Sequence, residues 1–138
     1  LQGLQIAGML AGVVQNHCLT GVCHSIAHCL SQYGISHGRL NALHISEVIG
    51  ANCELDAAHN RYEQLFLGAG FKGVDEARVF VAEVLERGNI KRIEAAKMVE
   101  ILSRENIDTM LDDRLTAVNI ELIDEEVLIK IIERSNEI

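Results

Sequence analysis

Gly21-Val22-Cys23-His24-Ser25-Ile26-Ala27-His28-Cys29-Leu30-Ser31-Gln32-Tyr33-Gly34-Ile35-Ser36-His37-Gly38 holds three of the chain's six histidines and no Asp, Glu, Lys or Arg. His24 and His28 are four apart, so on a helix they share one face. His37 follows a Gly-containing turn and directly precedes Gly38, where a new helix can begin. Side chains from one helix face and from the start of the next helix can converge on one point, as metal sites require. A bare His-x-x-x-His spacing fits a metal pair, a proton relay, or two polar residues on a packed helix. The His37-Gly38 pair favours function, because a glycine at a helix start lets a ligand approach the backbone. The low-charge surroundings favour it again, since buried imidazoles need partners.

Outward from this run the chain reads as successive helices. Residues 1–16 form one, with Gly3, Ala7, Gly8, Ala11 and Gly12 allowing close packing. Glycine costs about 1 kcal/mol in a helix interior, so this helix must rely on tertiary contacts. Thr20 is the expected N-cap of a helix near 21–33, which Gly34 ends. A third helix runs from about Gly38 to Asn52 with Leu40, Leu43, Val48 and Ile49 as apolar positions. A fourth covers roughly 57–68, closed by Gly68-Ala69-Gly70. Asp75 is expected to cap a helix burying Ala77, Val81, Val84 and Leu85, with Glu83 and Arg87 paired one turn apart. Beyond Gly88, a candidate hinge, residues 90–103 carry Ala95, Met98, Val99 and Leu102 on one stripe. Ile107, Met110, Leu111, Leu115 and Val118 make another. Asp124 caps a last helix whose Val127, Leu128, Ile131 and Ile132 face a core. Two-residue alternation is missing, so the expected fold class is all-α, a helical bundle.

Composition narrows the function. The 138 residues suit one ordinary domain. There is no Trp, and Phe plus Tyr make five, so the core must be aliphatic. The net charge of −8 leaves no basic patch to neutralise phosphates, which argues against a nucleic-acid partner. Residues 1–50 contain only Arg39 and Glu47 as formal charges. Such a near-neutral stretch is expected to be mostly buried, partly by self-association into a homo-oligomer. Gln2, Gln5, Gln15, Asn16 and His17 interrupt any run able to cross a bilayer, and no basic residue marks a secretory signal. The chain begins with Leu and reads as a piece of a longer protein. Cys18, Cys23, Cys29 and Cys53 show neither CxxC nor disulfide-framework spacing; reduced, small, buried residues of a cytoplasmic protein are the simplest reading. His17, His44 and His59 lack the context of the other three and read as structural. Phosphate loops and a nucleophile elbow are missing. The acidic clusters Asp112-Asp113 and Asp124-Glu125-Glu126 fit caps and solvated faces.

The run from Ala11 to Asn52 resembles the metal-binding segment of the iron-containing (group III) alcohol dehydrogenases. That family's helix reads approximately G-x-x-H-x-x-A-H, then a short turn, then H-G-x-x-N-A and an aliphatic stretch. The matching residues are Gly21, His24, Ala27 and His28, then His37, Gly38, Asn41 and Ala42, with Val48-Ile49 and Asn52 closing the segment. Tyr62 falls where a family Tyr often does, and Asp113 through Asn119 is similar to a D-x-x-T-x-x-N stretch. The turn between His28 and His37 is one residue shorter than the pattern, Ser36 and Ser46 stand where prolines often occur, and Leu40 replaces a small residue.

The resemblance implies an all-helical metal-binding domain fragment over 1–138, with the metal-site segment at about 11–52 and accessory helices at about 53–138. A nucleotide-binding domain would lie N-terminal to it and is absent from this sequence. His24 and His37 match metal ligands for divalent iron or zinc. His28 matches a catalytic residue beside the nicotinamide and the substrate, and Gly38 the cofactor-binding turn. The family's other two ligands, an Asp and a His one helical turn apart, are not in this chain. The implied reaction is NAD(P)-dependent interconversion of alcohols with aldehydes or ketones, on a small alcohol or aldehyde substrate, with the isolated fragment inactive. The alternatives are a glycerol dehydrogenase-like or dehydroquinate synthase-like zinc enzyme, and a non-enzymatic helical interaction module.

Overall fold

The computed structural model describes residues 2–17 and 19–136, without the side chains of Asn16 and His17, and among them every regular element is helical. Cys18 and the His17 imidazole lie outside the described residues. The order is α1 (Gln2–His17), α2 (Val22–Leu30), a 3-10 turn (Ser31–Tyr33), α3 (His37–Asn52), α4 (Asp56–Gly68), α5 (Val74–Arg87), α6 (Ala95–Ile101), α7 (Arg104–Asp112), α8 (Arg114–Ala117) and α9 (Glu125–Arg134). No described helix is long and apolar enough to cross a membrane.

Helix α2 sits at the centre, packed on α3, α7 and α8, while α3 packs in turn on α5 and α9. Val22, Ile26 and Leu30, four apart on α2, are fully buried. They join Leu40 and Leu43 of α3, Ile107 and Met110 of α7, and Leu128, Ile131 and Ile132 of α9 in one aliphatic cluster. Burying each such side chain contributes about 1.5–3 kcal/mol, so this cluster is the main stabilising feature. With one face of α2 committed to the core, His24 and His28 lie on another.

Several helix starts are capped across the fold, where local sequence cannot reveal it. Thr20 does not cap α2. Gly21 occupies the N-cap position with no side-chain bond of its own, and Asn119 Oδ1 accepts from the Val22 amide at 3.4 Å, 97 residues away. Gly21 has φ +76°, and a Cβ there would lie 2.9 Å from that same oxygen. Only glycine suits both constraints. Asp75 likewise does not cap α5. The N-cap is Gly73, and Glu63 of α4 accepts from the Val74 amide at 3.0 Å. The Asp124 cap is as expected, accepting from Val127 at 2.9 Å, and Arg87 pairs with Glu83 at 2.9 Å.

Other boundaries shift. Residues 90–94 are not helical, so the expected 90–103 helix shortens to α6. Here Arg39 on α3 donates to the Lys91 and Arg92 carbonyls, holding this strip extended. The stripe from Ile107 to Val118 splits at Asp113, whose extended backbone starts α8. At the end of α5 it is Asn89, not Gly88, that takes the left-handed conformation. Val84, Val99 and Val118, expected to face a core, are exposed. The largest difference is α1. Residues 2–15 are exposed throughout, with Leu4 78% and Met9 63% exposed. Within the single chain, the near-neutral first third is buried in α2 and much of α3, while α1 stays exposed.

Candidate functional site

The three histidines converge. His24 is the third residue of α2, and His28 follows one turn later. The chain leaves α2 through the Ser31–Tyr33 turn and reverses at Gly34, whose φ of +74° is left-handed. Ile35 is buried, anchoring the loop, and His37 opens α3. The ring centroids of His24 and His37 are 5.0 Å apart, those of His28 and His37 are 5.2 Å apart, and those of His24 and His28 are 6.1 Å apart. The shortened turn thus still brings His37 against both α2 histidines. Asp113 joins from the α7–α8 junction, with its Oδ2 3.9 Å from His28 Nδ1. Its Oδ1 accepts from the Leu115 amide at 2.8 Å, which fixes the carboxylate.

Electrostatics favour a neutral His24 ring. Burial pushes the His24 pKa down, and the neighbouring His37 and His28 push it further. A neutral imidazole offers a nitrogen lone pair to an ion. The cysteines behave otherwise. Burial pushes the Cys23 thiol up to about 12, and it donates to the Asn41 carbonyl at 3.5 Å. Cys23 therefore stays a thiol, a poor ligand. Cys29 is buried and Cys53 half-buried, and both thiols are shifted up chiefly by burial.

Two imidazoles bound to one ion, with nitrogens about 2.1 Å from it, bring their ring centroids to roughly 5 Å. The His24–His37 and His28–His37 separations both fit that figure. Among the described residues, no three of His, Cys, Asp and Glu are posed together to hold an ion. The arrangement is therefore a pair of donors with a third histidine and a carboxylate beside it. A catalytic zinc site uses three protein ligands. Gly38, second in α3, is exposed, and a Cβ built there meets nothing within 4 Å, so the helix start is open to an incoming molecule.

Residues beyond the histidines tie the site together. Asn119 Nδ2 donates to Asn52 Oδ1 at 2.6 Å, and Asn52 donates to the Tyr62 hydroxyl at 3.2 Å. Thr116 donates to the Met110 carbonyl at 2.6 Å. The Asp113–Asn119 stretch thus joins the site through Asp113 and locks α2 through Asn119. Composition offered only the cap reading for Asp113, since its meeting with His28 spans 85 residues of chain. Among the described residues, three buried side-chain polar atoms have no partner: Ser25 Oγ, Asn41 Oδ1 and His44 Nε2. His44 is fully buried, its Nδ1 bonded to the Leu40 carbonyl at 2.7 Å, and His59 is exposed. Both stand apart from the ring cluster. A cleft of about 570 Å3 lies toward the other end of α3, among Glu47, Gly50, Arg78, Asp124, Lys130 and Arg134, and has no histidine in its walls.

Comparison with known proteins bears on the family and the fold. The family model described as Fe-containing alcohol dehydrogenase family, C-terminal, matches residues 2–135. An alcohol dehydrogenase of Thermococcus barophilus is 27% identical over 112 residues, covering 81% of this chain and 28% of that protein. The solved structure of an iron-containing alcohol dehydrogenase from Thermococcus thioreducens superposes with a TM-score of 0.75 at 21% identity. It covers 84% of this chain and 32% of that one. The chain therefore spans less than a third of the length of these relatives.

Proposed function

The chain belongs to the C-terminal family of Fe-containing alcohol dehydrogenases, and on that premise we propose that it supplies part of the metal-binding helical half of an NAD(P)-dependent enzyme. That enzyme interconverts small alcohols with aldehydes or ketones. The observation that carries the reading is the gathering of His24, His28 and His37 where α2 turns into α3. A nucleotide-binding domain and two further metal ligands would come from outside residues 1–138.

His24 and His37 would hold the ion: His24 is biased to its neutral form, and the ring separation suits a shared ion. When bound, divalent iron or zinc would supply Lewis-acid polarisation of the substrate oxygen, and NAD(P) the hydride acceptor. His28 is the more exposed ring, with its side chain 54% accessible, and Asp113 lies at its Nδ1. That placement suits a proton carrier between the substrate hydroxyl and solvent, with the carboxylate orienting the ring. Gly38 leaves the space at the start of α3 open, where a side chain would narrow the cofactor's approach.

Zn2+ or Co2+ titration of the chain tests the ligand assignment. Weak binding is expected, abolished by His24→Ala and by His37→Ala; binding that neither substitution alters sinks it. Alcohol-dependent NAD(P) reduction by residues 1–138 supplied with iron or zinc should be undetectable, because two imidazoles do not complete a catalytic site. Robust turnover would show that the chain needs no outside ligands.

A further inference from the structure

Asn41 is one turn along α3 from His37, and its side chain is used on one side only. Its Nδ2 donates to the His37 carbonyl at 3.2 Å. Its Oδ1 is buried and accepts from nothing. Leaving a buried acceptor unmade costs about 1–3 kcal/mol, so such an atom marks a place where a donor arrives under other conditions. The location says which donors are near. The Asn41 carbonyl accepts from Cys23, the chain neighbour of His24, so Asn41 stands in the α2–α3 seam, one turn from His37 and against the turn of α2 that carries His24. An imidazole that gives one nitrogen to a metal turns its other nitrogen, as N–H, toward an acceptor, and that acceptor fixes the ring's tautomer and orientation.

We propose that Asn41 is a positioning residue of the metal site: its Oδ1 accepts the outer N–H of a metal-bound imidazole, His37 or His24, while its Nδ2 anchors the start of α3. The inference rests on the ligand reading above. Among the described residues, no donor bonds to Oδ1.

The two halves of the amide can be separated by substitution. Asn41→Asp keeps an acceptor and loses the donor, whereas Asn41→Ala loses both. Zn2+ affinity of the 138-residue chain is measured by titration calorimetry, with urea midpoints of the metal-free variants as the control for folding. Asn41→Ala should weaken Zn2+ binding 10-fold or more, and Asn41→Asp should bind at least as tightly as the wild type. Asn41→Ser, whose hydroxyl also accepts, serves as the second variant should the aspartate unfold the chain. Equal losses in Asn41→Ala and Asn41→Asp, or no loss in Asn41→Ala, would overturn the proposal by leaving Asn41 a helix anchor alone. Those outcomes leave the ligand reading intact while His24→Ala and His37→Ala still abolish binding. Zn2+ binding indifferent to both histidines overturns the two together.

Discussion

At the scale of single residues, the buried histidine outside the site makes a distinct prediction. His44 has its Nδ1 on the Leu40 carbonyl and its Nε2 buried without a partner. Burial pushes its pKa below the ordinary value, more than the bond to Leu40 restores it. Above about pH 6.5 both folded and unfolded chains carry a neutral ring, and its contribution to stability is constant. Below that value the unfolded chain takes up a proton that the folded chain refuses, so stability falls as the pH falls. His24 adds a change of the same sign. Between pH 7.5 and 5.5 the loss from His44 has its limit at about 1.4 kcal/mol, reached if the folded ring stays neutral throughout. His44→Leu keeps the volume, removes the orphaned nitrogen and should flatten this dependence. Urea midpoints at the two pH values check it; a variant as acid-sensitive as the wild type would contradict the neutral burial of His44. The sequence marked His44 as structural because it lacked a neighbouring histidine or turn. It could not show that the residue faces the core.

At the scale of elements, the N-terminus of α2 concentrates the fold's long-range dependence. Asn119 accepts from the Val22 amide and bridges to Asn52, so Asn119→Ala removes a cap and a buried hydrogen bond together. The expected destabilisation is about 1–3 kcal/mol. Gly21→Ala forces a Cβ into the Asn119 side chain at a backbone angle that alanine resists, at a cost on the order of 1–3 kcal/mol. Because both changes disturb the same Gly21–Asn119 contact, the double variant should lose less than the two singles added together. Strict additivity in denaturant unfolding would show that the two act independently. The helix starts divide by where their partners lie. The local cap of Asp124 on Val127 was legible because an Asx cap bonds an amide two or three residues on, whereas Ser103, which accepts from the Asn106 amide to start α7, read as the end of a longer 90–103 stretch. Those closed from afar, α2 by Asn119 and α5 by Glu63, were not legible. The histidine site sits between these cases. Its α2 pair follows from helical spacing and its third member from the short Gly34 turn, while Asp113 arrives only when α7 and α8 dock on α2.

At the scale of the whole molecule, α2, α3, α6, α7 and α9 close one aliphatic core and α1 stays outside it. Leu4, Ile6, Met9, Leu10, Val13 and Val14 are each more than half exposed on α1. At about 100 Å2 apiece, the area that corresponds to 1.5–3 kcal/mol of burial each, they approach the roughly 800 Å2 that one side of a stable interface buries. No Asp, Glu, Lys or Arg lies in residues 1–38 to oppose association, although the chain as a whole carries −8. The isolated chain should therefore self-associate at micromolar concentration through α1. Leu10→Lys with Val14→Glu places an i,i+4 pair of opposite charge on that helix, which keeps net charge and helicity while breaking the apolar face. The substituted chain should run as a monomer in light scattering, and its Zn2+ affinity should match the wild type, since these positions lie outside the histidine cluster. A wild-type chain that is strictly monomeric would remove the argument. An equally associated double variant would move the contact to another exposed surface, the α4–α5 face with Leu65, Leu67, Val79 and Phe80 being the next largest. Hydropathy foresaw an apolar first helix but not its exposure in the single chain, because burial depends on which surfaces the other helices turn toward it.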